Sequence, residues 1–370
     1  MRAEHLYVHV PFCARRCVYC DFSIAVRSEV PIREFVNGIR RELDVRCLDA
    51  SFDLETLYFG GGTPSKLGGD GIKEAIEVIT EKARLRPGAE ITIEANPEDV
   101  SRASASAWHQ AGVNRVSLGV QSFNEGVLRW MHRTHDANQA RKSIEVLREA
   151  GIRNVSIDLI FALPESTERS WDADLETAVA ANVSHISAYG LTVEPHTLFG
   201  RQVARSDATE APEENFEREF LAADKALVGA GFEHYEVSNY ALKGLHSRHN
   251  WAYWNRRAYG GLGPSAHEFD GEARQWNVLP YAQWLQEVDR SGSAVAGREL
   301  LSEDEVIEEK IYLGLRTKSG LDLSADERTR IQPWLESGWA VMEGSRLRLT
   351  PSGWLRLDSL ATSLTPSRSR

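Results

Sequence analysis

Three cysteines near the start of the chain have the types and spacing to do chemistry. Cys13, Cys17 and Cys20 follow the pattern C-x3-C-x2-C, and they are three of the four cysteines among 370 residues. Thiolates this close together can all turn toward one soft metal centre, and iron–sulfur clusters are normally held by four cysteine thiolates. Three thiolates leave one iron without a protein ligand, as in a site that binds an exchangeable group. The spacing therefore favours a 4Fe–4S cluster with one open iron.

Other interpretations of the cysteines stay open. A structural zinc ion needs a fourth ligand, for which His9 is a nearby candidate. Structural zinc sites more often pair two C-x2-C units across a longer loop, and the sequence holds no second pair. A disulfide framework is unusual in a chain of this length with four cysteines. Cys47 continues an apolar helix face with Ile39 and Leu43, so it is predicted to be a core residue.

Further polar residues recur where later apolar runs end. The run Gly60–Pro64 follows the second apolar stretch, and its glycines would let a ligand approach the backbone and leave N–H groups free to bind it. Glu94, Gln121 and Asp158 lie on or just after three later runs, and carboxylates suit ribose hydroxyls or an amino group. Arg133 is placed to pair with a carboxylate. The plainer alternatives are a turn for the glycines and a helix cap or surface ion pair for the others.

A second unusual run, Arg248–Trp254, reads RHNWAYW. An exposed histidine between aromatic rings can ligate a heme iron while the rings stack on the macrocycle. A buried aromatic cluster around a hydrogen-bonded His249 is at least as good a prediction from the residues alone. His267 is a further candidate facing the same cavity.

Strands and helices must alternate to position these residues. Short apolar runs predict strands at Leu6–Val10, Thr56–Phe59, Glu90–Ala95, Arg115–Val120, Val155–Phe161 and His185–Leu191. Amphipathic segments predict helices at Arg33–Leu48, Gly71–Ala83, Arg102–Ala111, Ala137–Ala150, Trp171–Ala181 and Pro212–Ala230. This alternation predicts parallel βα units, in a partial barrel or a doubly wound sheet, with ligands beyond the carboxyl ends of the strands.

The pattern changes after residue 231, which divides the chain into predicted regions. Residues 1–231 form the βα region, and 232–289 form an aromatic-rich extension. The Ser-, Gly- and Ala-containing stretch 290–297 is predicted to be a linker. Residues 298–360 read as helix, helix and hairpin, which predicts a small winged-helix-like domain. Its acidic balance argues against DNA binding. The polar segment 361–370 is predicted to be a disordered tail.

Composition excludes several classes of protein. A formal net charge of −11 argues against a nucleic-acid partner held by general phosphate affinity. The sequence has no run of 18 apolar residues, so it predicts no membrane span. The first residues lack the apolar core of a signal peptide, so the expected location is the cytoplasm, which suits reduced thiols.

Five motifs together identify the chain as resembling the oxygen-independent coproporphyrinogen III oxidase-like (HemN-like) radical SAM family. In order they are YVHVPFC-x3-C-x-Y-C, GGGTPS, IEANPE, GVQSF and IDLIFALP. The resemblance implies a partial (β/α)6 barrel with a 4Fe–4S cluster on Cys13, Cys17 and Cys20, and S-adenosylmethionine (SAM) on the fourth iron. By motif it assigns SAM contacts to Tyr7, Tyr19, Gly61, Gly62, Thr63, Glu94, Gln121, Arg133 and Asp158.

Two features separate the subgroups of this family. True oxidases carry a fourth cysteine two residues after the third, where this chain has Phe22, and they have a longer N-terminal extension. The chain instead resembles the heme-chaperone subgroup, whose His-Asn-x2-Tyr-Trp motif is present as His249–Trp254 and is associated with heme.

That subgroup implies binding of heme and its transfer to acceptor hemoproteins such as membrane respiratory enzymes. The competing expectation is the oxidase reaction, in which propionate side chains are decarboxylated to vinyl groups. The sequence leaves open whether SAM is cleaved, which residue ligates heme, whether heme is held covalently, and whether the protein is a homodimer.

Overall fold

The structure is a computed structural model that describes residues 3–46, 53–323 and 325–368. Cys47, predicted to be a core residue, lies outside the described residues. The strands are β1 His5–Val10, β2 Phe12–Cys13, β3 Ala25–Val26, β4 Asp53–Gly61, β5 Arg84–Ala95, β6 Arg115–Gln121, β7 Asn154–Phe161, β8 His185–Gly190, β9 Glu233–Glu236, β10 Asn239–Ala241, β11 Tyr259–Leu262, β12 His267–Phe269, β13 Ala273–Asn277, β14 Val295–Leu300, β15 Leu321–Asp322, β16 Ala340–Glu343 and β17 Arg346–Leu349. The helices are α1 Ile32–Arg46, α2 Gly68–Thr80, α3 Arg102–Gln110, α4 Glu125–Trp130, α5 Ala137–Glu149, α6 Trp171–Ala180, α7 Leu198–Ala204, α8 Glu213–Gly229, α9 Arg248–Trp254, α10 Tyr281–Ser291, α11 Glu303–Arg316, α12 Ala325–Arg330, α13 Gln332–Glu336, α14 Pro351–Trp354 and α15 Leu357–Arg368.

One mixed sheet of 12 strands organises most of the molecule. Its order is β14-β13-β12-β11-β1-β4-β5-β6-β7-β8-β10-β9. The six strands β1 and β4–β8 pair in parallel, and helices join them along the chain. Their apolar runs are buried almost without interruption, as parallel strands covered on both faces require. The predicted α/β class and its six strand–helix units are confirmed.

The register of the parallel strands aligns polar residues near their carboxyl ends. Glu94 pairs with Ser117 across β5 and β6, and Gly119 pairs with Asp158 across β6 and β7. The register shifts between Gly119 and Gln121, and Gln121 has a φ of 66°. Such an irregularity bends a strand end and re-aims its side chains.

The helices bury apolar faces against the sheet and one another. In α2, for example, Ile72, Ala75, Ile76 and Ile79 follow helical spacing and are all buried. Side-chain caps fix several helix starts: Ser101 of α3, Asp136 of α5 and Ser170 of α6 each accept a backbone N–H. Each cap stabilises the protein by about 1 kcal/mol.

The aromatic-rich extension belongs to the same sheet and contributes strands to both of its ends. Strand β11 pairs in parallel with β1, whereas β10 pairs antiparallel with β8. The predicted linker 290–297 was partly wrong, because β14 begins at Val295 and pairs with β13. The Ser and Gly residues of this stretch form the short turn between α10 and β14, and they do not connect two domains.

The C-terminal region builds its own small sheet, in the order β15-β17-β16, next to helices α11–α15. This is the predicted helix–helix–hairpin arrangement. The prediction of a disordered tail over 361–370 was wrong for residues 361–368, since α15 continues to Arg368. The physical reason is burial: Ala361 and Leu364 of this helix pack into the core.

None of the helices within the described ranges has both the length and the apolar character that crossing a membrane requires.

Candidate metal and cofactor site

A cavity of about 580 Å³ opens at the carboxyl ends of β4–β8. This is where the parallel-strand architecture places ligands. The structure brings together here the residues predicted for the cluster and most of those predicted for SAM, namely Cys13, Cys17, Tyr19, Cys20, Gly61, Gly62, Thr63, Glu94, Gln121, Arg133 and Asp158. Two predicted site residues, Tyr7 and His249, do not line it.

The cysteine loop leaves the sheet after β1 and forms one wall of the cavity. Cys13 lies on β2, whose two residues pair in parallel with β3, and its Sγ is 3.2 Å from the hydroxyl of Thr63. The Cys17 Sγ receives a contact of 3.6 Å from Nη1 of Arg133. The Cys20 backbone N–H donates to the Cys17 carbonyl at 3.3 Å, which closes the loop. All three thiols are half-buried.

Burial favours the protonated form of two of the thiols, those of Cys13 and Cys20. Burial raises the pKa of the Cys13 thiol to about 11, and burial likewise raises the pKa of Cys20. Binding a soft metal would release these protons, because the ligand is the thiolate. The donor set therefore fits a centre that compensates for two or more buried negative charges.

The hydrogen bonds of His9 weaken the zinc interpretation. A structural zinc ion held by three thiolates needs a fourth protein ligand. His9, the candidate, shares hydrogen bonds of 3.1 Å with the Tyr7 hydroxyl and with the Ser23 carbonyl, one at each ring nitrogen. With both nitrogens of His9 engaged, the three thiols suit a cluster with one open iron better than a single zinc ion.

The backbone N–H groups of Gly61 and Gly62, at the end of β4, are already paired inside the protein. The N–H of Gly61 donates to Glu94 Oε2 at 3.0 Å, and that of Gly62 donates to the Val10 carbonyl at 2.8 Å. The prediction that these N–H groups are free to bind a ligand was therefore wrong. A Cβ on Gly61 would lie 2.5 Å from the His9 ring, and one on Gly62 would lie 2.7 Å from the Pro11 backbone. The glycines are needed because the end of β4 packs directly against the start of the cysteine loop.

Two half-buried carboxyl groups face the cavity from the ends of β5 and β7, on either side of β6. Glu94 accepts from the Tyr58 hydroxyl at 2.8 Å as well as from Gly61, yet burial raises its pKa to about 7. Asp158 accepts from the Ser117 hydroxyl at 3.1 Å, and burial raises its pKa as well. Each carboxyl therefore gains from a cationic or hydroxyl-bearing ligand, which would offset the cost of a buried charge.

Arg133 links the cysteine loop to the strand ends. Its Nη2 donates to Asn96 Oδ1 at 2.6 Å and to the Gly119 carbonyl at 2.8 Å, while Nη1 faces Cys17. The expected partner of Arg133 was a carboxylate, and the structure gives it an amide, a carbonyl and a thiol instead. A half-buried guanidinium beside the thiols supplies a positive charge to a centre that carries negative charge.

His249 is buried, with 1% of its surface exposed. Its Nδ1 shares a hydrogen bond of 2.6 Å with the Thr56 hydroxyl, and its Nε2 shares one of 2.8 Å with the Tyr253 hydroxyl. Burial lowers its pKa well below the usual value. The prediction of an exposed histidine presenting a nitrogen to heme is contradicted, because tertiary packing covers the ring. The alternative, a hydrogen-bonded histidine within an aromatic cluster, is what the structure contains.

Tyr7 belongs to the same group of rings as His249. We call Tyr7, Tyr58, His249 and Tyr253 the ring cluster. The Tyr7 hydroxyl pairs with His9 Nδ1 at 3.1 Å, away from the cavity lining. His267 also lies elsewhere, exposed on β12 with its ring stacked on Trp276.

Sequence reasoning missed three residues that hold the predicted ones in place: Tyr58 on Glu94, Asn96 on Arg133, and Ser117 on Asp158. A signal exists for Ser117. It precedes Gln121 by four residues on one strand, and alternate strand positions share a face. Tyr58 gave no such signal, since an aromatic residue in an apolar run reads as core.

Family models match two parts of the chain. The model of the radical SAM superfamily matches residues 7–178, and the model of the HemN C-terminal domain matches residues 301–356. A relative from Mycobacterium tuberculosis, named heme chaperone HemW, is 35% identical over 367 residues, which is 97% of this chain and 94% of the relative. The chain belongs to the HemW family of radical SAM proteins. A heme chaperone HemW from Bacillus subtilis is 33% identical, over 85% of this chain and 84% of the relative.

A solved structure supports the fold of this HemW family member. Coproporphyrinogen III oxidase (HemN) from Escherichia coli, described as a radical SAM enzyme, superposes with a TM-score of 0.84 at 24% identity. The match covers 98% of this chain and 90% of that chain. The HemN-like α/β fold predicted from the motifs is thereby confirmed.

Proposed function

We propose that this protein is a heme chaperone. It would hold a 4Fe–4S cluster and SAM in the strand-end cavity, bind heme, and pass the heme to acceptor hemoproteins such as membrane respiratory enzymes. The observation that carries the proposal is the convergence of three thiols, two half-buried carboxyl groups and Arg133 on one cavity. The relatives in the HemW family are named heme chaperones, and we infer heme binding and heme delivery from those names.

Cys13, Cys17 and Cys20 would hold the cluster, leaving one iron open to SAM. Bound there, cluster and SAM supply radical chemistry. The protein's own residues bind and orient: Glu94 and Asp158 offer acceptors to the cation and hydroxyls of SAM, and Gln121 offers an amide. Because three reduced thiols need a reducing compartment, we place the protein in the cytoplasm.

The mouth of the cavity is a suitable place for heme. The Phe22 ring lines it with 65% of its surface exposed, and Arg15 lines it from the same loop. An aromatic ring suits a porphyrin face and a guanidinium suits a propionate. His132, exposed at the mouth, makes no side-chain hydrogen bond within the described ranges, so its ring is available to an iron. A Schellman motif ends α4 and fixes the backbone of His132, whose N–H donates to the Arg129 carbonyl at 3.1 Å.

The test is anaerobic reconstitution with iron and sulfide, followed by separate titrations with SAM and heme. We expect about four irons per chain, SAM binding that requires the cluster, and stoichiometric heme binding with a sharp absorption band. His132→Ala should change the heme spectrum, whereas His196→Ala, an exposed histidine outside the cavity lining, should not. Absence of stoichiometric heme binding would overturn the proposal. Consumption of coproporphyrinogen would favour the oxidase instead.

A further inference from the structure

The ring cluster connects the Arg248–Trp254 segment to the cavity. The Tyr58 ring packs on His249 with centroids 5.0 Å apart and on Tyr7 at 6.1 Å, in both cases with an interplanar angle of 26°. The Tyr58 hydroxyl donates to Glu94 Oε1 at 2.8 Å. A continuous path of side chains therefore runs from His249 to a carboxyl group that lines the cavity.

His249 is itself fixed to the two strands that carry this path. Its Nδ1 pairs with Thr56 of β4, two residues before Tyr58. Its backbone N–H and that of Arg248 both donate to the Glu90 carboxylate of β5, each at 3.1 Å. Glu90 precedes Glu94 by four residues on the same strand. The position of the His249 ring is thus set relative to both Tyr58 and Glu94.

We propose that His249 is a positioning residue for SAM. Its ring packs against Tyr58, so that the Tyr58 hydroxyl holds Glu94 Oε1 while the Gly61 N–H holds Oε2, and the carboxylate faces the bound SAM in one orientation. This inference rests on the proposed function, because it takes Glu94 to be a SAM contact. It gives the Arg248–Trp254 segment a role at the SAM site in place of a heme ligand.

The hydrogen bonds of His249 argue for this assignment over heme ligation. An iron ligand needs an uncommitted ring nitrogen, and both nitrogens of His249 are engaged inside the protein. Presenting the ring to heme would break both bonds and would leave the hydroxyls of Thr56 and Tyr253 without this partner. Holding a tyrosine in place requires none of these changes.

A double-mutant cycle tests the path. SAM affinity is measured by calorimetry on cluster-reconstituted parent, His249→Ala, Tyr58→Phe and the double variant. We expect each single substitution to weaken SAM binding about tenfold, the effect of losing one hydrogen bond to a charged group. The double variant should be no weaker than the weaker single variant, because both changes remove the same restraint on Glu94. If His249→Ala does not fold, His249→Leu takes its place, since it fills the volume without a flat ring or ring nitrogens.

His234→Ala is the matched control. His234 also packs on a tyrosine, Tyr240, with ring centroids 3.9 Å apart, but neither residue lines the cavity. This variant should lose stability and keep its SAM affinity. Unchanged SAM affinity in the His249 variants would overturn the inference, as would multiplicative losses in the double variant. Loss of heme binding with normal SAM binding in the His249 variants would restore the heme-ligand assignment. A parent protein that binds no SAM would instead overturn the proposed function.

Discussion

The cysteine loop and the ring cluster contain the two most unusual sequence runs, and their polar groups are satisfied in different ways. In the loop, the thiols are half-buried around a cavity, and the Phe22 ring is 65% exposed. In the ring cluster, His249 is buried with both nitrogens hydrogen-bonded, and the Tyr58 hydroxyl is held by Glu94.

This contrast separates ligand binding from positioning. The two ring nitrogens of His249 are already paired inside the protein and leave no donor or acceptor for a ligand, whereas half-buried thiols beside a guanidinium can bind a metal. An unusual sequence run is therefore insufficient to identify a binding site, because the same residue types also build rigid supports. Substitutions in the loop should lower iron content and leave stability nearly intact, and substitutions in the ring cluster should lower stability and leave iron content intact.

Loss of a loop thiol should have the largest effect on cofactor content. In Cys17→Ala we expect iron bound after reconstitution to fall at least tenfold, because two thiolates cannot hold the cluster. The free energy of unfolding of the metal-free protein should change by less than about 1 kcal/mol, since the side chain is only half-buried. Iron analysis and urea unfolding measure the two effects. Cys47→Ala is the control and should keep its iron. A parent-like iron content in Cys17→Ala would contradict the assignment of this ligand.

Among the substitutions considered, removal of the His249 ring should cause the largest loss of stability. His249→Ala leaves a cavity in the core and removes one hydrogen-bond partner from each of the Thr56 and Tyr253 hydroxyls, so we expect a loss of about 3 kcal/mol in the free energy of unfolding. Urea unfolding of the metal-free variant measures this loss. Iron content after reconstitution should match the parent because the loop is untouched. A loss below 1 kcal/mol would mean that the ring cluster is less tightly packed than its contacts indicate.

Glu94 lines the cavity and also contacts the ring cluster through Tyr58. We expect this carboxyl group to make the stability of the protein depend on pH. Burial raises the pKa of folded Glu94 to about 7 from an ordinary 4.5. The folded protein thus holds this proton more tightly than the unfolded chain, so stability falls as the pH rises from 4.5 to 7. Above pH 7 the ionised Glu94 lowers the free energy of unfolding by about 3 kcal/mol, and below pH 4.5 this loss is absent. Glu94→Gln should therefore gain stability relative to the parent between pH 5 and pH 8.

Glu55 is a control for which the change of stability with pH has the opposite sign. Its pKa is lowered mainly by its hydrogen bond from Arg248. The stability contributed by Glu55 is present above pH 4.5 and is lost as the pH falls, so Glu55→Gln should be slightly less stable than the parent at pH 8. Urea unfolding across the pH range measures both variants. A Glu94→Gln difference that does not change between pH 5 and pH 8 would show that the carboxyl is not desolvated in the folded protein.

The sequence predicted the parallel strands and the cavity residues at their ends because both follow local rules. Apolar runs alternate with amphipathic segments, and polar residues at the carboxyl ends of parallel strands converge, which placed Glu94, Gln121 and Asp158 correctly at one cavity. The cysteine spacing likewise placed three thiols together, because they share one short loop.

The failures concern properties that depend on the tertiary structure. The exposure of His249 depends on its contacts with β4 and β5, which lie more than 150 positions earlier in the chain. No local sequence pattern predicts contacts between segments so far apart. The N–H groups of Gly61 and Gly62 looked available because their partners, Glu94 and Val10, are distant in sequence or on another strand. The sequence did not predict strand β14, because this short edge strand is mostly exposed and lacks the run of apolar residues by which the other strands were predicted.

The smallest expected effect tests whether the ring cluster needs its hydrogen bonds or only its packing. Tyr253→Phe keeps the aromatic ring, whose centroid lies 4.9 Å from that of His249, but removes the hydroxyl that pairs with Nε2. The lost bond leaves one buried nitrogen unsatisfied, so we expect the free energy of unfolding to fall by about 1 kcal/mol while iron content stays at the parent level. Trp251→Phe on the same helix removes no such bond and serves as the matched control. A Tyr253→Phe protein as stable as the parent would mean that packing holds His249 and that its hydrogen bond to Tyr253 contributes no net stability.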